Sequence, residues 1–211
     1  MRPYQHAISS ASRLGGKWQD YLAVHEFIDS TKTCCADSRH RMILHSVDFG
    51  AALARMAFPD RLDTDDLVAQ HVVEDLGSAR TLSEWLALSR REKLPRIHPE
   101  ALPIDIERII AEESACFASA TGDWVRRVCH LLVMPMAFAP EIGPDALCIL
   151  SNSFGPALVR RLIGAPIELG GAYFDPALCG ERVIFRLYRA IPPMTAVVYA
   201  LTSAHQARHD T

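Results

Sequence analysis

A proline-rich segment near the middle of the chain constrains the fold more than any other feature of the sequence. Between Leu94 and Pro103 the sequence reads LPRIHPEALP, with three prolines in one short stretch. Proline has no backbone N–H and its ring clashes with the preceding helical turn, so no helix continues through this segment. We therefore predict a linker over residues 94–103, which separates an N-terminal module, residues 1–93, from a C-terminal region, residues 104–211.

The N-terminal module is predicted to be an antiparallel helical bundle. Its apolar residues recur three and four positions apart in successive segments, which is the spacing of an amphipathic helix. Short loops between such helices make neighbours antiparallel. We predict helices over residues 20–32, 37–58 and 64–76, with a fourth that begins at Thr81.

Residues at the predicted helix ends agree with these boundaries. Pro59 stops the second helix, and Gly77 suits the left-handed position that follows the third. Thr81 and Glu84 have the spacing of a capping box at the start of the fourth helix. Residues 1–18 contain a proline and two glycines and are predicted to be an irregular lead-in.

The C-terminal region has a mixed pattern. Three segments have helical spacing, over residues 104–120, 123–134 and 157–163. Two others, residues 183–188 and 195–201, are rich in β-branched or aromatic residues and are predicted to be strands that flank a proline turn. The chain is therefore predicted to be mainly α, with the helical bundle followed by a smaller α+β region.

Histidine and acidic residues are concentrated in the N-terminal module. Five of the nine histidines lie within the first 71 residues, and several of them stand three or four positions from an aspartate. Residues at this spacing share one face of a helix, so each pair can act together. The pairs are His25 with Asp29, Asp37 with His40, and His71 with Asp75.

Each of these histidines interrupts an apolar stripe, so its ring is predicted to be buried. Burying an unpaired polar group costs about 1–3 kcal/mol, and each ring must therefore bind a metal or form a hydrogen bond. Imidazole and carboxylate ligands together suit Zn, Mn, Fe or Ni rather than Ca or Mg. The predicted ligands are His25, Asp29, His40, His71 and Asp75, and the predicted surrounding or alternative groups are His6, Asp37, His45 and Glu74.

Two short segments resemble the metal-binding helices of zinc peptidases. The sequence HEFID from His25 resembles H-E-x-x-H, and HVVED from His71 resembles the inverted form H-x-x-E-H. In both, aspartate replaces the second histidine, which argues against a peptidase. If the module is an enzyme, the predicted chemistry is hydrolysis by a metal-activated water, with Glu74 or Glu26 as the base.

The remaining features argue against several classes of protein. The formal net charge of −3 argues against binding nucleic acid mainly by phosphate neutralisation. No run reaches the roughly 18 apolar residues of a membrane-spanning helix, and the N-terminus lacks the apolar core of a secretory signal, so a cytoplasmic location is expected. The six cysteines form no C-x-x-C pair and are expected to be reduced, with most of them buried.

The first part of the chain carries an ordered set of motif residues: Pro3, Tyr4, His6, Ala7, Ser9, Ser10, Gly15, Gly16, Asp20, Tyr21, His25, Asp29, Lys32, Ala36, Asp37, Arg39, His40, Arg41, His45, His71, Glu74, Asp75, Leu76, Gly77, Thr81 and Trp85. In these positions the chain resembles a family of small bacterial and phage proteins that is a domain of unknown function. The resemblance implies a compact helical module whose polar motif residues form one site, with no established activity. The family has a second histidine where this chain has Ser46 and an aromatic residue near Cys35, and the resemblance does not extend to residues 98–211.

Two hypotheses about function follow from the sequence. In the first, the N-terminal module binds a divalent transition metal and acts as a metal-dependent hydrolase. In the second, the protein is a non-catalytic interaction or accessory protein, and its histidines and aspartates form a structural hydrogen-bond network. The expected partner is an unidentified small molecule or protein, and the sequence does not determine the oligomeric state.

Overall fold

The computed structural model of this protein describes residues 1–35, 40–87, 93–117, 121–169 and 171–206. The chain divides into two units. The first unit comprises Met1–Ser89 together with Leu201–Thr211, and the second comprises Arg90–Ala200. Within the described ranges, no helix has both the length and the apolar character needed to cross a membrane.

The first unit is a helical bundle centred on its fifth helix. Helix α5 packs against α1, α2 and α4, and α2 also packs against α1 and α4. This arrangement confirms the predicted helical character of the N-terminal module. The helices are α1 (Pro3–Leu14), α2 (Gln19–Ile28), a 3-10 helix (Asp29–Thr33), α3 (Arg41–Leu44), α4 (Phe49–Ala57), α5 (Thr64–Leu76) and α6 (Leu82–Ala87).

Helix α1 replaces the predicted irregular lead-in, and that prediction was wrong. Pro3 occupies the first turn of the helix, where the missing N–H costs nothing. The Gln5 side chain accepts a hydrogen bond from the Arg2 N–H at 2.8 Å, which caps the start. The buried face of α1 contains His6, Ala7 and Ser10 and is therefore largely polar, so the apolar spacing used to find helices does not reveal it.

The helix predicted over residues 37–58 is interrupted. Helix α3 ends at Leu44, and α4 begins at Phe49 with Asp48 accepting from the Phe49 N–H at 2.7 Å. The Asp48 side chain also accepts from the Leu82 N–H at 2.9 Å, so it joins the start of α4 to the start of α6. Asp37 lies outside the described residues.

The helix ends predicted at Gly77 and Thr81 are confirmed, whereas the helix predicted over residues 20–32 is α-helical only to Ile28 and continues as the 3-10 helix. Gly77 follows α5 with φ +73°, the left-handed conformation that favours glycine. At the start of α6 the Thr81 N–H donates to Glu84 Oε2 at 2.8 Å, and the Glu84 N–H donates to Thr81 Oγ1 at 3.2 Å. This reciprocal pair is the predicted capping box.

The second unit is also mainly helical and contains a short hairpin. Helix α11 packs against α7, α8 and α10, and its buried stripe forms much of the core. The strands pair antiparallel with Ile167 opposite Phe174, and Gly171 in the connecting turn has φ +80°. The elements are α7 (Ile106–Ser114), α8 (Gly122–Val133), α9 (Pro135–Phe138), the 3-10 helix Gly143–Ile149, α10 (Gly155–Ile163), β1 (Ile167–Leu169), β2 (Ala172–Phe174), α11 (Pro176–Tyr188) and α12 (Met194–Gln206), of which residues 194–200 belong to this unit.

Both strands predicted near the C-terminus are helical instead. Residues 183–188 form the last turns of α11, and residues 195–201 lie within α12. Helix α11 begins at Pro176, after Asp175, whose side chain accepts from the Ala177 N–H at 2.9 Å. Val183, Ile184, Val197 and Val198 are buried on these helices, whereas Phe185 and Tyr199 are exposed, so the tertiary packing of the β-branched residues has overridden their strand propensity.

The predicted linker packs into the second unit. Leu94, Ile97 and Ala101 are buried, and the His98 N–H donates to the Leu187 carbonyl of α11 at 2.8 Å. The prolines do prevent an α-helix here, and the only helical turn in this stretch is the 3-10 segment Pro99–Ala101. The segment is therefore held by apolar burial and backbone bonding although it lacks regular structure.

Candidate metal centre

The five histidines within residues 1–89 are buried together. Each is exposed by 2% or less, an unusual degree of burial for a polar ring. They come from different elements but meet around two aspartates, Asp29 and Asp75. The five are His6 on α1, His25 on α2, His40 before α3, His45 after α3, and His71 on α5.

The local structure explains how the acids reach this cluster. Helix α2 tightens into the 3-10 helix at Asp29, one turn after His25, and so turns that carboxylate into the interior. His71 and Asp75 are one turn apart on α5. His45 lies just beyond α3, where the Trp85 indole N–H donates to its backbone carbonyl at 2.8 Å and holds that backbone in place.

Four ligand atoms converge at the centre of the cluster, which we call the central group: Asp29 Oδ1, His45 Nε2, His71 Nε2 and Asp75 Oδ2. All four lie within 4.8 Å of one another. The two ring nitrogens are 3.1 Å apart. Each is also close to both carboxylates: His45 Nε2 is 3.6 Å from Asp29 and 3.4 Å from Asp75, and His71 Nε2 is 3.7 Å from each.

Asp29 is held by two further side chains. His40 Nε2 lies 3.2 Å from its Oδ1, and the Lys32 ammonium donates to its Oδ2 at 2.5 Å. Burial raises the pKa of Asp29, but hydrogen bonds and close contacts from His40, His71 and Lys32 outweigh it and hold that pKa well below its usual range. Asp29 is therefore ionised.

Asp75 is similarly surrounded but incompletely hydrogen-bonded. Its fully buried Oδ2 lies 2.8 Å from Arg41 Nε, yet the angle gives no hydrogen bond, and Oδ2 is left without a hydrogen-bond partner among the described residues. Its Oδ1 contacts His6 Nε2 at 3.3 Å and the terminal amine of Met1. Burial raises the pKa of Asp75, and contacts from His45, His6 and the amine outweigh this and lower it well below the usual range.

The rings of His25, His45 and His71 are neutral at neutral pH. Burial, reinforced by the neighbouring His71, lowers the pKa of His25 to about 3. Burial also lowers the pKa of His45 to about 3, even though Asp75 opposes the shift, and lowers that of His71. A neutral imidazole carries a lone pair on one nitrogen, which is the form that binds metal ions.

Comparison with known proteins relates the N-terminal part of the chain to a described family. Residues 1–94 match the family described as a domain of unknown function, DUF6915. This confirms the resemblance expected from the sequence motifs, and the match covers fewer than half of the 211 residues. Comparison with curated proteins and with solved structures gives no significant match.

The central group lies entirely inside the DUF6915 segment, but it differs in part from the predicted ligand set. Of the predicted ligands, Asp29, His71 and Asp75 contribute to the central group. His40 lies outside it, with its Nε2 3.2 Å from Asp29 Oδ1, and His25 Nδ1 lies 3.0 Å from His71 Nδ1, on the side of that ring away from the centre. His45, predicted only as a surrounding or alternative group, supplies the fourth ligand atom.

The two glutamates predicted as bases lie elsewhere in the DUF6915 segment. Glu26 is on the exposed face of α2 and does not join the cluster, so we set it aside as a candidate base. Glu74 is bound to His6 Nδ1 at 2.6 Å, Ser9 Oγ at 2.5 Å and Gln70 Nε2 at 2.8 Å. Through these contacts Glu74 links α1 to α5.

Sequence spacing did not reveal the polar residues that support the cluster. Ser10 on α1 bonds His25 Nε2 at 2.9 Å, and Gln70 on α5 bonds Ser10 at 3.0 Å. Arg41 pairs with Asp75 of α5. Two signals were available: Ser10 and Arg41 are among the positions of the family resemblance, and Ser10 stands four positions after His6, on one face of a helix that was not predicted.

Proposed function

We propose that the DUF6915 segment binds a single divalent transition metal ion through Asp29, His45, His71 and Asp75. The observation that carries this proposal is the convergence of two carboxylate oxygens and two imidazole nitrogens on one buried point. Buried polar groups normally have a hydrogen-bond partner, and Asp75 Oδ2 has none among the residues that the structure describes. A cation bound between the four atoms would supply that missing partner.

The spacing of the four atoms fits a tetrahedral ion. Metal–ligand bonds of about 2.0–2.2 Å place the ligand atoms of a tetrahedron about 3.3–3.6 Å apart. Five of the six distances in the central group lie between 3.1 and 3.7 Å, and the sixth, between the two carboxylates, is within 4.8 Å. Small rotations of the side chains would complete the coordination.

The charges and donor types also suit such an ion. Two ionised carboxylates would balance a divalent cation, and two neutral imidazoles would add the nitrogen ligands that borderline-soft metals prefer. Zn, Mn, Fe and Ni therefore fit better than Ca or Mg. Zn fits best, because it accepts four-coordinate tetrahedral sites built from nitrogen and oxygen ligands.

We assign the metal a structural rather than a hydrolytic role. Hydrolysis needs a coordination position open to water and substrate, whereas structural sites take all four ligands from the protein. The side chains of His45, His71 and Asp75 are fully buried, and that of Asp29 is 3% exposed. Glu74, the remaining candidate base, is already bound to three side chains of α1 and α5.

One observation favours the alternative of a metal-free network. The rings of His25, His71 and His45 form a chain with nitrogen–nitrogen distances of 3.0 and 3.1 Å, and alternating donors and acceptors would satisfy it without an ion. The first unit would then be a non-catalytic interaction or accessory module with a polar core. The two candidates differ in metal content, which can be measured directly.

Elemental analysis of the full-length protein, purified without chelator or affinity tag, tests the proposal. We expect about one equivalent of a transition metal per chain, lost in the His71→Ala variant because a coordinating nitrogen is gone. His130→Ala is the matched control, since that histidine is exposed on α8 of the second unit and should not alter the metal content. Less than about 0.1 equivalent after incubation with each metal would favour the metal-free network.

A further inference from the structure

We propose that Ser10 and His25 are positioning residues that hold His71 in the tautomer whose Nε2 lone pair faces the central group. This inference rests on the proposed metal site for its functional meaning. The tautomer itself follows from counting hydrogen-bond donors and acceptors, and it can be tested in the metal-free protein. The hydrogen bonds that fix it run from Glu74 through Gln70, Ser10 and His25 to His71.

Gln70 has only one acceptable amide orientation. Its side chain lies 2.8 Å from Glu74 Oε1 at one end and 3.0 Å from Ser10 Oγ at the other. The NH2 group must face the carboxylate, because a carboxylate can only accept. The amide oxygen of Gln70 therefore faces Ser10 and acts there as an acceptor.

Ser10 must in turn accept a hydrogen bond from His25. Its hydroxyl has a single hydrogen and already faces two acceptors, Gln70 Oε1 and the His6 carbonyl, each at 3.0 Å. The third neighbour is His25 Nε2 at 2.9 Å. If that nitrogen also lacked a hydrogen, three acceptors would compete for one hydrogen in a buried site, so the hydrogen of His25 is on Nε2.

The tautomer of His71 follows from that of His25. A neutral ring with its hydrogen on Nε2 has a lone pair on Nδ1. His25 Nδ1 faces His71 Nδ1 at 3.0 Å, so His71 must donate from Nδ1. The Nε2 of His71 then carries a lone pair and points at His45, Asp29 and Asp75, which is the orientation a metal ligand requires.

His45 differs from His71 in this respect. In the metal-free protein its Nε2 is the only ring atom that can donate across the 3.1 Å contact to His71 Nε2. Its Nδ1 has no hydrogen-bond partner in the described part of the chain. Metal binding therefore requires His45 to transfer its hydrogen from Nε2 to Nδ1, whereas His71 is already in the binding form.

Nitrogen-15 NMR of the imidazole rings in the metal-free, full-length protein tests the tautomers. We expect the Nδ1–H form for His71 and the Nε2–H form for His25. Ser10→Ala should mix the two forms of His25, because its Nε2 loses its acceptor. Ser9→Ala is the matched control: this neighbour on α1 bonds Glu74 and not His25, and it should leave both rings unchanged.

Metal affinity tests the functional part of the inference. His25→Ala should weaken binding about 10- to 100-fold, the usual effect of removing the group that orients a metal-binding histidine. His25→Asn should retain most of the affinity, since its amide oxygen can replace Nδ1 as the acceptor for His71. Circular dichroism confirms that each variant is folded, and Ser10→Ala should show a smaller loss in the same direction.

Two results would overturn the inference. One is a His71 ring with its hydrogen on Nε2 in the metal-free protein. The other is an equal loss of affinity in folded His25→Ala and His25→Asn, which would show that the ring only fills space. If the wild-type chain binds no metal, the proposed function fails, while the NMR result still decides whether Ser10 and His25 set the tautomer.

Discussion

The two units of this chain compensate their buried charges in different ways. In the second unit, Glu113 is the one charged residue classed as buried among those described, and it accepts from Arg182 Nε and Arg186 Nη2 at 2.7 Å each. Both arginines reach it from the partly exposed side of α11. In the first unit, two aspartates and five histidines are buried together, and the central group contains more acceptors than hydrogens.

This difference shows where a cation is needed. Glu113 has permanent cationic partners within its own unit, so nothing has to be added from solution. Lys32 contacts Asp29 at Oδ2, and Arg41 Nε lies 2.8 Å from Asp75 Oδ2 without forming a hydrogen bond, while the central oxygens of both aspartates also face neutral rings. Among the described residues, only the first unit has buried carboxylate and imidazole acceptors that a bound ion would satisfy, and experiments that separate the units test this contrast.

At neutral pH, metal removal is expected to have the largest effect, and to affect the first unit alone. An ion present at 100 times its dissociation constant stabilises the folded state by about 2.7 kcal/mol. Chelation should therefore increase hydrogen exchange in peptides from residues 1–87 and leave those from residues 106–188 unchanged. Readdition of Zn should restore the protection.

Substitutions on α5 provide the control for this experiment. Asp75→Asn should abolish the response to chelator, because it removes a ligand charge from the central group. Asp65 lies on the same helix, but its side chain is 60% exposed. The Asp65→Asn variant should therefore respond to the chelator like the wild type. Equal changes in both units after chelation, or none in either, would contradict the contrast drawn above.

Acid is expected to destabilise the metal-free first unit. The pKa values of His25 and His45 are about 3 in the folded chain and 6.5 in their ordinary state. Between these values the unfolded chain binds more protons, so the free energy of unfolding falls as the pH drops below 6.5, by up to about 1.4 kcal/mol per pH unit for each histidine. The lowered pKa values of Asp29 and Asp75 add a further loss at more acidic pH.

Tryptophan fluorescence can follow this acid effect in the first unit. A Trp124→Phe variant keeps only Trp18 and Trp85, both in that unit, and its denaturant midpoint should decrease steadily between pH 6.5 and 5. The second unit should change little over that range, because its described histidines, His98 and His130, are not buried. A flat profile for the first unit would show that its rings are not buried in the neutral form.

The sequence predicted those helices whose ends and apolar faces are marked by residues of the helix itself. Helix α5 was predicted at its observed bounds because Gly77 and the apolar residues mark it directly. Helix α1 was missed because its buried residues, His6 and Ser10, are polar and their burial depends on contacts with other helices. Helix α11 was mistaken for a strand because its β-branched residues were considered apart from the Asp175 cap that begins the helix.

Sequence spacing predicted only the part of the candidate site that lies on a single helix. His71 and Asp75 share a face of α5, so their spacing alone brought them together. Spacing could not show that His25 would lie behind His71, since that contact joins α2 to α5. Nor could it select His45 over His40, because both flank the short helix α3, and the break before α4 determines which ring reaches the centre.

The smallest expected effect is at Glu113, where the comparison predicts a stability change that is independent of metal. Glu113→Gln removes the charge that Arg182 and Arg186 share, and charge-assisted hydrogen bonds contribute about 1.5–3 kcal/mol in buried settings. The arginine side chains are 41% and 33% exposed, so water compensates part of the loss and we expect about 1–2 kcal/mol.

Glu107→Gln is the control: its pair with Arg126 is exposed on both sides, and its loss should cost less than about 0.5 kcal/mol. Hydrogen exchange of α7 and α11, with and without chelator, measures both variants. A chelator-dependent loss at Glu113 would show that the second unit also relies on the metal, because a self-compensated charge gives the same loss in both conditions.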